Sequence, residues 1–130
     1  KKEMKELDKI YIKYAKDGFK VVSINIDNTR SMSKVKSYVN SQNYAFTVLS
    51  DPRAELFRKL GGIEMPYVII GDSTGKIINR HVGYNPGDEN KLEKEVLNLL
   101  NMQTSLNDSI KIDIDTSISK IDTISKINAK

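Results

Sequence analysis

The sequence predicts an α/β domain in which helices layer against a sheet, and three observations carry that expectation. The first is the run Met65-Pro66-Tyr67-Val68-Ile69-Ile70-Gly71-Asp72, followed by Ser73-Thr74-Gly75-Lys76 and a second apolar run from Ile77 to Val82. It reads as a strand opened by proline, a tight turn and an antiparallel return strand. Proline cannot donate to a sheet ladder, so it belongs at the first residue of a strand and not inside one. The Met65–Pro66 bond is a candidate cis bond, because cis costs only about 0.5–1 kcal/mol before proline and about 2.5–4 kcal/mol elsewhere. The second observation is the alternation of helical and extended patterns along the chain, which argues for layered α/β architecture. The third is size and composition. With 130 residues, 38% hydrophobic and 29% charged, the chain suffices for one domain with a real core.

Each element has its own signal. Lys1 to Lys16 carries Met4, Leu7, Ile10, Tyr11 and Tyr14 at helical spacing, and Gly18 suits the stop just beyond. Phe19 to Ile26 is a β-rich apolar run long enough for a buried parallel strand. After the polar loop Asp27–Arg30, Ser31 can cap a second helix to about Gln42, with Val35, Tyr38 and Val39 on one face. Phe46 to Leu49 is a short strand. Ser50-Asp51-Pro52 then opens a third helix, with an aspartate cap and proline at the first helical position. Leu56, Phe57 and Leu60 form its apolar face, and Gly61-Gly62 end it. The proline-led hairpin follows, then the loop Tyr84–Asp88. A final helix from about Asp88 to Asn101 carries Leu92, Val96, Leu99 and Leu100.

From Met102 the composition changes. Aromatics vanish, and Ser, Asp, Thr, Lys and Ile take over. The expected division is a domain at 1–101 and an extension or linker at 102–130. Ile110, Ile112 and Ile114 alternate as in a strand, whereas Ile118, Ile121, Ile124 and Ile127 recur every third residue. With few good helix formers, residues 109–115 are expected to be a strand, and the isoleucines would let the tail dock on the domain or on a partner.

The residues also exclude function classes. Net charge is +4, from lysines interleaved with Asp and Glu, without the basic stripe that nucleic-acid binding needs. There is no cysteine, so no disulfide, thiolate metal site or thiol catalysis resides within these residues. No apolar run approaches the roughly 18 residues needed to span a membrane. No His or Asp/Glu cluster has metal-ligand spacing. Asp113 and Asp115 alternate with isoleucines, unlike a calcium loop. Gly71-Asp72-Ser73-Thr74-Gly75-Lys76 is one residue short of a phosphate loop and leads to a strand, where the real motif leads to a helix. No serine sits in a nucleophile-elbow context. His81, the only histidine, reads as a surface residue on a late strand.

Several segments together resemble a known family. Lys2-Glu3-Met4…Leu7, Tyr14…Gly18-Phe19-Lys20-Val21-Val22-Ser23-Ile24-Asn25-Ile26-Asp27, Val48-Leu49-Ser50-Asp51-Pro52, Leu60-Gly61, Pro66 and Asp72-Ser73-Thr74-Gly75-Lys76-Ile77 fall in the order and spacing of TlpA/ResA-type thioredoxin-like thiol–disulfide oxidoreductases. The resemblance covers roughly residues 1–101. It implies a three-layer fold, with a central mixed sheet flanked by helices. In that family a strand leads into Trp-Cys-x-x-Cys at the N-terminus of the first long helix, so the chain is expected to begin just after that motif, with the N-terminal strand or strands upstream. That strand would lie between those at Phe19–Ile26 and Tyr67–Asp72. Without it, two apolar strands would present unpaired edges. The tail strand Ile110–Ile114 is one candidate to fill the gap. Lys5 departs from the family at a position where many relatives have a helix-kinking proline.

The chemistry so implied is reduction or isomerisation of protein disulfides, with both cysteines just upstream of Lys1. A thiolate there would be stabilised by the helix N-terminus, with Lys1 and Lys2 either adding positive charge or simply solvated. Met65 and Pro66 would form the substrate-docking loop. Glu64, beside them, would tune thiol ionisation or substrate choice, or be an ordinary exposed charge. The implied partners are a protein disulfide substrate and a redox partner protein, with no nucleic acid, cofactor or metal. The implied location is periplasmic or otherwise extracytoplasmic, with peripheral membrane association or an anchor through upstream residues. Two alternatives stand beside this reading: a peroxiredoxin-type peroxidase, and a cysteine-free thioredoxin-like binding module.

Overall fold

A computed structural model describes residues 2–128, with side chains through residue 122. Lys1 and the side chains of Ile124 and Ile127 lie outside the described residues. The chain divides into two compact units, one through Lys94 and one from Glu95.

The first unit opens with α1 (Lys2–Tyr14), which passes through Lys5 without interruption and runs into a 3-10 turn at Ala15–Asp17. Gly18, at φ 96°, ends it, and its N–H donates to the Ala15 carbonyl. That left-handed conformation suits a residue with no Cβ. The N–H of Phe19 donates to the Tyr14 carbonyl, so the residues after the helix are committed to its termination. Strand β1 accordingly starts at Val22 and ends at Asn25, shorter than the run at 19–26 predicts.

Next comes a 3-10 turn at Thr29–Ser31, capped by the Asn28 side chain, and then α2 (Met32–Gln42). Ser31 precedes α2 but its side chain caps nothing there; its hydroxyl donates back to the Asn28 carbonyl. Strand β2 (Thr47–Ser50) pairs in parallel with β1, from Val22 opposite Thr47 to Asn25 opposite Ser50. Asp51 extends the ladder by donating its N–H to the Asn25 carbonyl at 2.7 Å.

The third helix differs from expectation. Pro52 and Arg53 lie in a turn, Ala54 is left-handed at φ 52°, and α3 occupies Glu55–Lys59. Asp51 still does the capping, but from four residues away. Its carboxylate accepts from the N–H groups of Glu55, Leu56 and Phe57 at 3.0, 2.9 and 3.2 Å. Three orphan donors at a helix start find one acceptor, which moves the helix downstream of the proline.

Strands β3 (Tyr67–Gly71) and β4 (Ile77–Val82) form the expected antiparallel hairpin, with an irregularity between Ile70 and Gly71. Its turn is organised by Asp72, whose carboxylate accepts from the Thr74 N–H, the Thr74 hydroxyl and the Lys76 N–H. Gly75 supplies the positive φ of 86°. Among the described residues the strands form two separate two-stranded sheets, β1–β2 parallel and β3–β4 antiparallel, with no ladder joining them. Asn25 Nδ2, at the end of β1, is buried without a hydrogen-bond partner among the described residues.

The core of this unit is aromatic and aliphatic. Ile10, Tyr14, Phe46 and Ile70 are buried. Phe46 stacks on Tyr44, with centroids 5.0 Å apart, and meets Tyr11 edge-on at 6.4 Å; both are favoured ring geometries. Tyr11 also contacts Phe19. The Tyr38 and Tyr44 hydroxyls lie 3.0 Å apart, and burial first, then this contact, raises the Tyr44 pKa. Asp8 accepts from the Ala45 N–H at 2.8 Å. Helix α1 is thereby held to the segment entering β2.

The second unit lies within α4, which spans Asp88–Asn128. Residues 109–115 are therefore helical, not a strand, and Ile110–Ile114 is not an edge filler. The local reason is visible in the side chains. Ser and Thr normally compete with helix hydrogen bonding, but here Thr104, Ser105, Ser109, Thr116 and Ser117 donate to the carbonyl four residues earlier, leaving the helix intact.

Candidate functional site

The loop before β3 is held from behind and open in front. Gly61 is left-handed at φ 78°, the Tyr67 hydroxyl donates to the Leu60 carbonyl at 2.9 Å, and the Tyr67 ring meets Phe57 edge-on. A Cβ on Gly62 would meet the Phe57 ring, so a larger residue here would force that ring to move. The Met65–Pro66 peptide is cis. The Pro66 carbonyl accepts from the Gly83 N–H at 2.8 Å, one step beyond the Tyr67–Val82 pair of the hairpin. Glu64 is exposed, and Met65 is 50% and Ile63 84% exposed. The loop thus presents two apolar side chains on either side of a carboxylate. Ile63 escaped the sequence reading, although an isoleucine between a Gly-Gly helix stop and Glu-x-Pro is the signal that could have found it.

Beside this loop lies a cavity of ≈ 240 Å³. Gly83, which holds the Pro66 carbonyl, is in its wall, as are Glu3 and Glu6 of α1, His81 of β4, and Tyr84 and Glu89. His81 is therefore half-buried in a cavity wall, where the sequence suggested a plain surface position. Burial raises the pKa of Glu3. Glu89 moves the other way. The Tyr84 hydroxyl donates to it at 2.7 Å and the Gly87 N–H at 2.9 Å, and these bonds, with help from Lys2, lower its pKa. The same contact holds the Tyr84 phenol up at about 12. Asp88 is lowered by the Asn85 N–H and by Lys91. The wall thus holds one carboxyl shifted up, Glu3, and two shifted down, Asp88 and Glu89.

The structure brings Met65 and Pro66 into one loop with Glu64 and sets that loop against the cavity through Gly83. Lys2 is exposed in the first turn of α1. Among the described residues no group of three or more His, Cys, Asp or Glu is placed to hold a metal ion, and no helix is long and apolar enough to cross a membrane.

Comparison with known proteins fits this geometry. The chain is 29% identical over 82 residues to the thiol-disulfide oxidoreductase ResA of Bacillus thuringiensis subsp. konkukian, a match covering 63% of this chain and 46% of the relative. The chain thus spans about half the length of the curated relatives it matches. Among solved structures, it superposes on a candidate thiol:disulfide interchange protein DsbE from Chlorobium tepidum with a TM-score of 0.72 and 29% identity, covering 76% of this chain and 69% of that one. A thioredoxin-like protein from Porphyromonas gingivalis matches with a TM-score of 0.67 and 29% identity, covering 77% and 66%. The Redoxin family profile spans residues 1–96, which take in α1, both strand pairs and the cavity wall, and the chain belongs to the Redoxin family.

Proposed function

We propose that the protein containing this chain is a thioredoxin-like thiol–disulfide oxidoreductase acting on protein disulfides. The observation that carries this reading is the similarity to ResA, which is named for that activity. In this reading the cysteines would lie N-terminal to α1. One thiolate would attack a substrate disulfide, forming a mixed disulfide and releasing one substrate thiolate. The second thiolate would attack that mixed disulfide and release the other substrate thiol, so that two electrons and two protons pass to the substrate while the enzyme pair becomes a disulfide. The N-terminus of α1 would stabilise the attacking thiolate. Met65 and Pro66, with Glu64, would form the docking loop, and the exposed Ile63 and Met65 would contact apolar side chains flanking the substrate disulfide. We place this work outside the cytoplasm, with a redox partner protein restoring the enzyme's dithiol.

Intact mass of the full-length product before and after reduction and thiol alkylation tests the reading first. Two alkylated thiols are expected; none would overturn it, and one reactive thiol with peroxide turnover would favour the peroxidase. In that same protein, Met65→Asp is expected to raise KM for a protein disulfide substrate roughly 3- to 10-fold, the loss of one partly buried apolar contact, with little change for a small-molecule disulfide.

A further inference from the structure

Two tyrosines of the first unit meet in a contact that thiol exchange does not use. Tyr38 lies in α2, and Tyr44 lies in the segment that leads into β2. Between them Asn43, left-handed at φ 51°, ends α2 and donates its N–H to the Val39 carbonyl. The two hydroxyl oxygens are 3.0 Å apart. The ring centroids are 6.5 Å apart, with the ring planes at 61°, inside the range of favoured aromatic pairs. Tyr44 is also held by Phe46, on which it stacks with centroids 5.0 Å apart, and Phe46 is buried. Both tyrosines are half-buried, so packing fixes the pair while part of each ring stays in reach of solvent.

Composition makes this pair an oxidation site. These residues include no cysteine and no tryptophan, so tyrosine is the side chain here that gives up a single electron most readily. Of the six tyrosines, Tyr14 and Tyr84 give their hydroxyls to Glu93 and Glu89, and Tyr67 gives its hydroxyl to the Leu60 carbonyl. The Tyr11 ring meets Phe19 and Phe46. Among the described residues, Tyr38 and Tyr44 are the pair that sets phenol against phenol. A phenoxyl radical spreads its unpaired electron from the oxygen onto the ortho ring carbons. Two such radicals couple through those carbons, and the resulting biaryl keeps its two hydroxyls side by side in one hydrogen bond. The hydroxyls of Tyr38 and Tyr44 already stand in that relation. Holding two reactants so converts a bimolecular step into an effectively unimolecular one.

We propose that Tyr38 and Tyr44 are a modification site, joined as an intrachain dityrosine when a haem peroxidase and hydrogen peroxide oxidise the protein. Each phenol gives up one electron and one proton. The two radicals join through their ortho carbons, and the hydrogens on those carbons move to the oxygens, restoring both phenols. The O–O bond of the peroxide breaks as it takes up the two electrons and two protons, and it leaves as two waters. The new bond fastens α2 to the segment entering β2. The test treats the intact protein, its thiols first blocked by alkylation, with haem peroxidase and hydrogen peroxide at low protein concentration, then digests it with trypsin. Both tyrosines fall in one tryptic peptide, Ser37–Arg53, which has no methionine to oxidise. That peptide is expected to lose two hydrogens in mass and to gain dityrosine fluorescence. Tyr38→Phe and Tyr44→Phe are each expected to lower the product at least roughly tenfold, since the positioned partner is gone, and Tyr14→Phe to leave it unchanged. In urea above the unfolding midpoint the yield is expected to fall several-fold, because only the short chain between the rings then brings them together. A peptide that keeps its mass, dityrosine formed only between separate chains, a product that survives either of the Tyr38 and Tyr44 variants, or equal yields folded and unfolded would overturn the proposal.

Discussion

The two units of this chain treat most of their apolar residues in opposite ways, Val96 at the start of the second, 2% exposed, being the exception. In the first, Ile10, Tyr14, Phe46 and Ile70 are buried, and the aromatic rings of Tyr11, Phe19, Tyr44 and Phe46 meet one another. In the second, Met102, Leu106, Ile110, Ile114, Ile118 and Ile121 face outward along a helix without aromatics. Helical regularity is therefore not evidence of a completed core. A domain core needs elements of different direction converging on the same side chains, whereas a single long helix satisfies its backbone internally and leaves its apolar row exposed.

The contrast predicts a graded set of effects. The largest is at Phe46, 5% exposed. Phe46→Ala removes both ring contacts and is expected to cost about 3–5 kcal/mol, read as a fall in the urea midpoint at unchanged slope. An equal loss from an outward-facing residue of the second unit would erase the distinction. Next is Asp51→Ala, which strips three backbone N–H groups at α3 of their acceptor. The expected cost is about 1–2 kcal/mol, with faster amide exchange at Glu55, Leu56 and Phe57 as the local signature. Asp51→Asn is expected to recover part of it.

A smaller effect concerns pH. Glu93 accepts from the Lys13 ammonium at 2.6 Å and from the Tyr14 hydroxyl at 2.8 Å, and these contacts, Lys13 first, lower its pKa below the ordinary 4.5. A carboxyl lowered on folding contributes stability that is fully present above its unfolded pKa and is lost as pH falls through the folded value. Lys13 is raised by the same contact, so its contribution is lost only as pH rises through its folded pKa, above 10.5. Glu93→Gln is therefore expected to flatten the acid limb of a stability-against-pH curve below about pH 4.5, and to leave the slope between pH 6 and 8 unchanged. The smallest effect is at Ile112, which is 66% exposed and lies off the apolar row. Ile112→Ala is expected to stay within about 0.5 kcal/mol and to raise helicity slightly by circular dichroism, since alanine is the better helix former.

Much of the first unit was legible because its signals are local. The Gly18 stop, the β3–β4 hairpin with its Asp72 turn, and the Met65-Pro66 strand opening each depend on residues within a few positions of one another. What misled was equally specific. Asp51 was readable as a helix cap, but its distance from the helix was not, because the chain takes a left-handed step at Ala54 before the carboxylate meets its donors. Ile110, Ile112 and Ile114 alternate as in a strand, yet only Ile110 and Ile114 belong to the helical row. A short stretch of isoleucines fits both periods, and only the longer repeat from Leu99 to Ile121 separates them. At the candidate site, Glu64, Met65 and Pro66 were named from the sequence. Ile63 was not, and His81 was read as a plain surface residue, because exposure and cavity walls arise from segments far apart in the chain.

The sequence by itself determined the order of elements, the antiparallel hairpin, the absence of thiols within these residues and the family resemblance, since each rests on neighbouring residues or on spacing. Only the tertiary structure decided that Glu3 and Glu89 line one cavity with opposite pKa shifts, that the loop carbonyl of Pro66 is held by Gly83, and that the strands stand as two separate pairs. Those outcomes depend on desolvation and on hydrogen bonds between residues far apart in the chain, quantities that exist only once the backbone has brought them together.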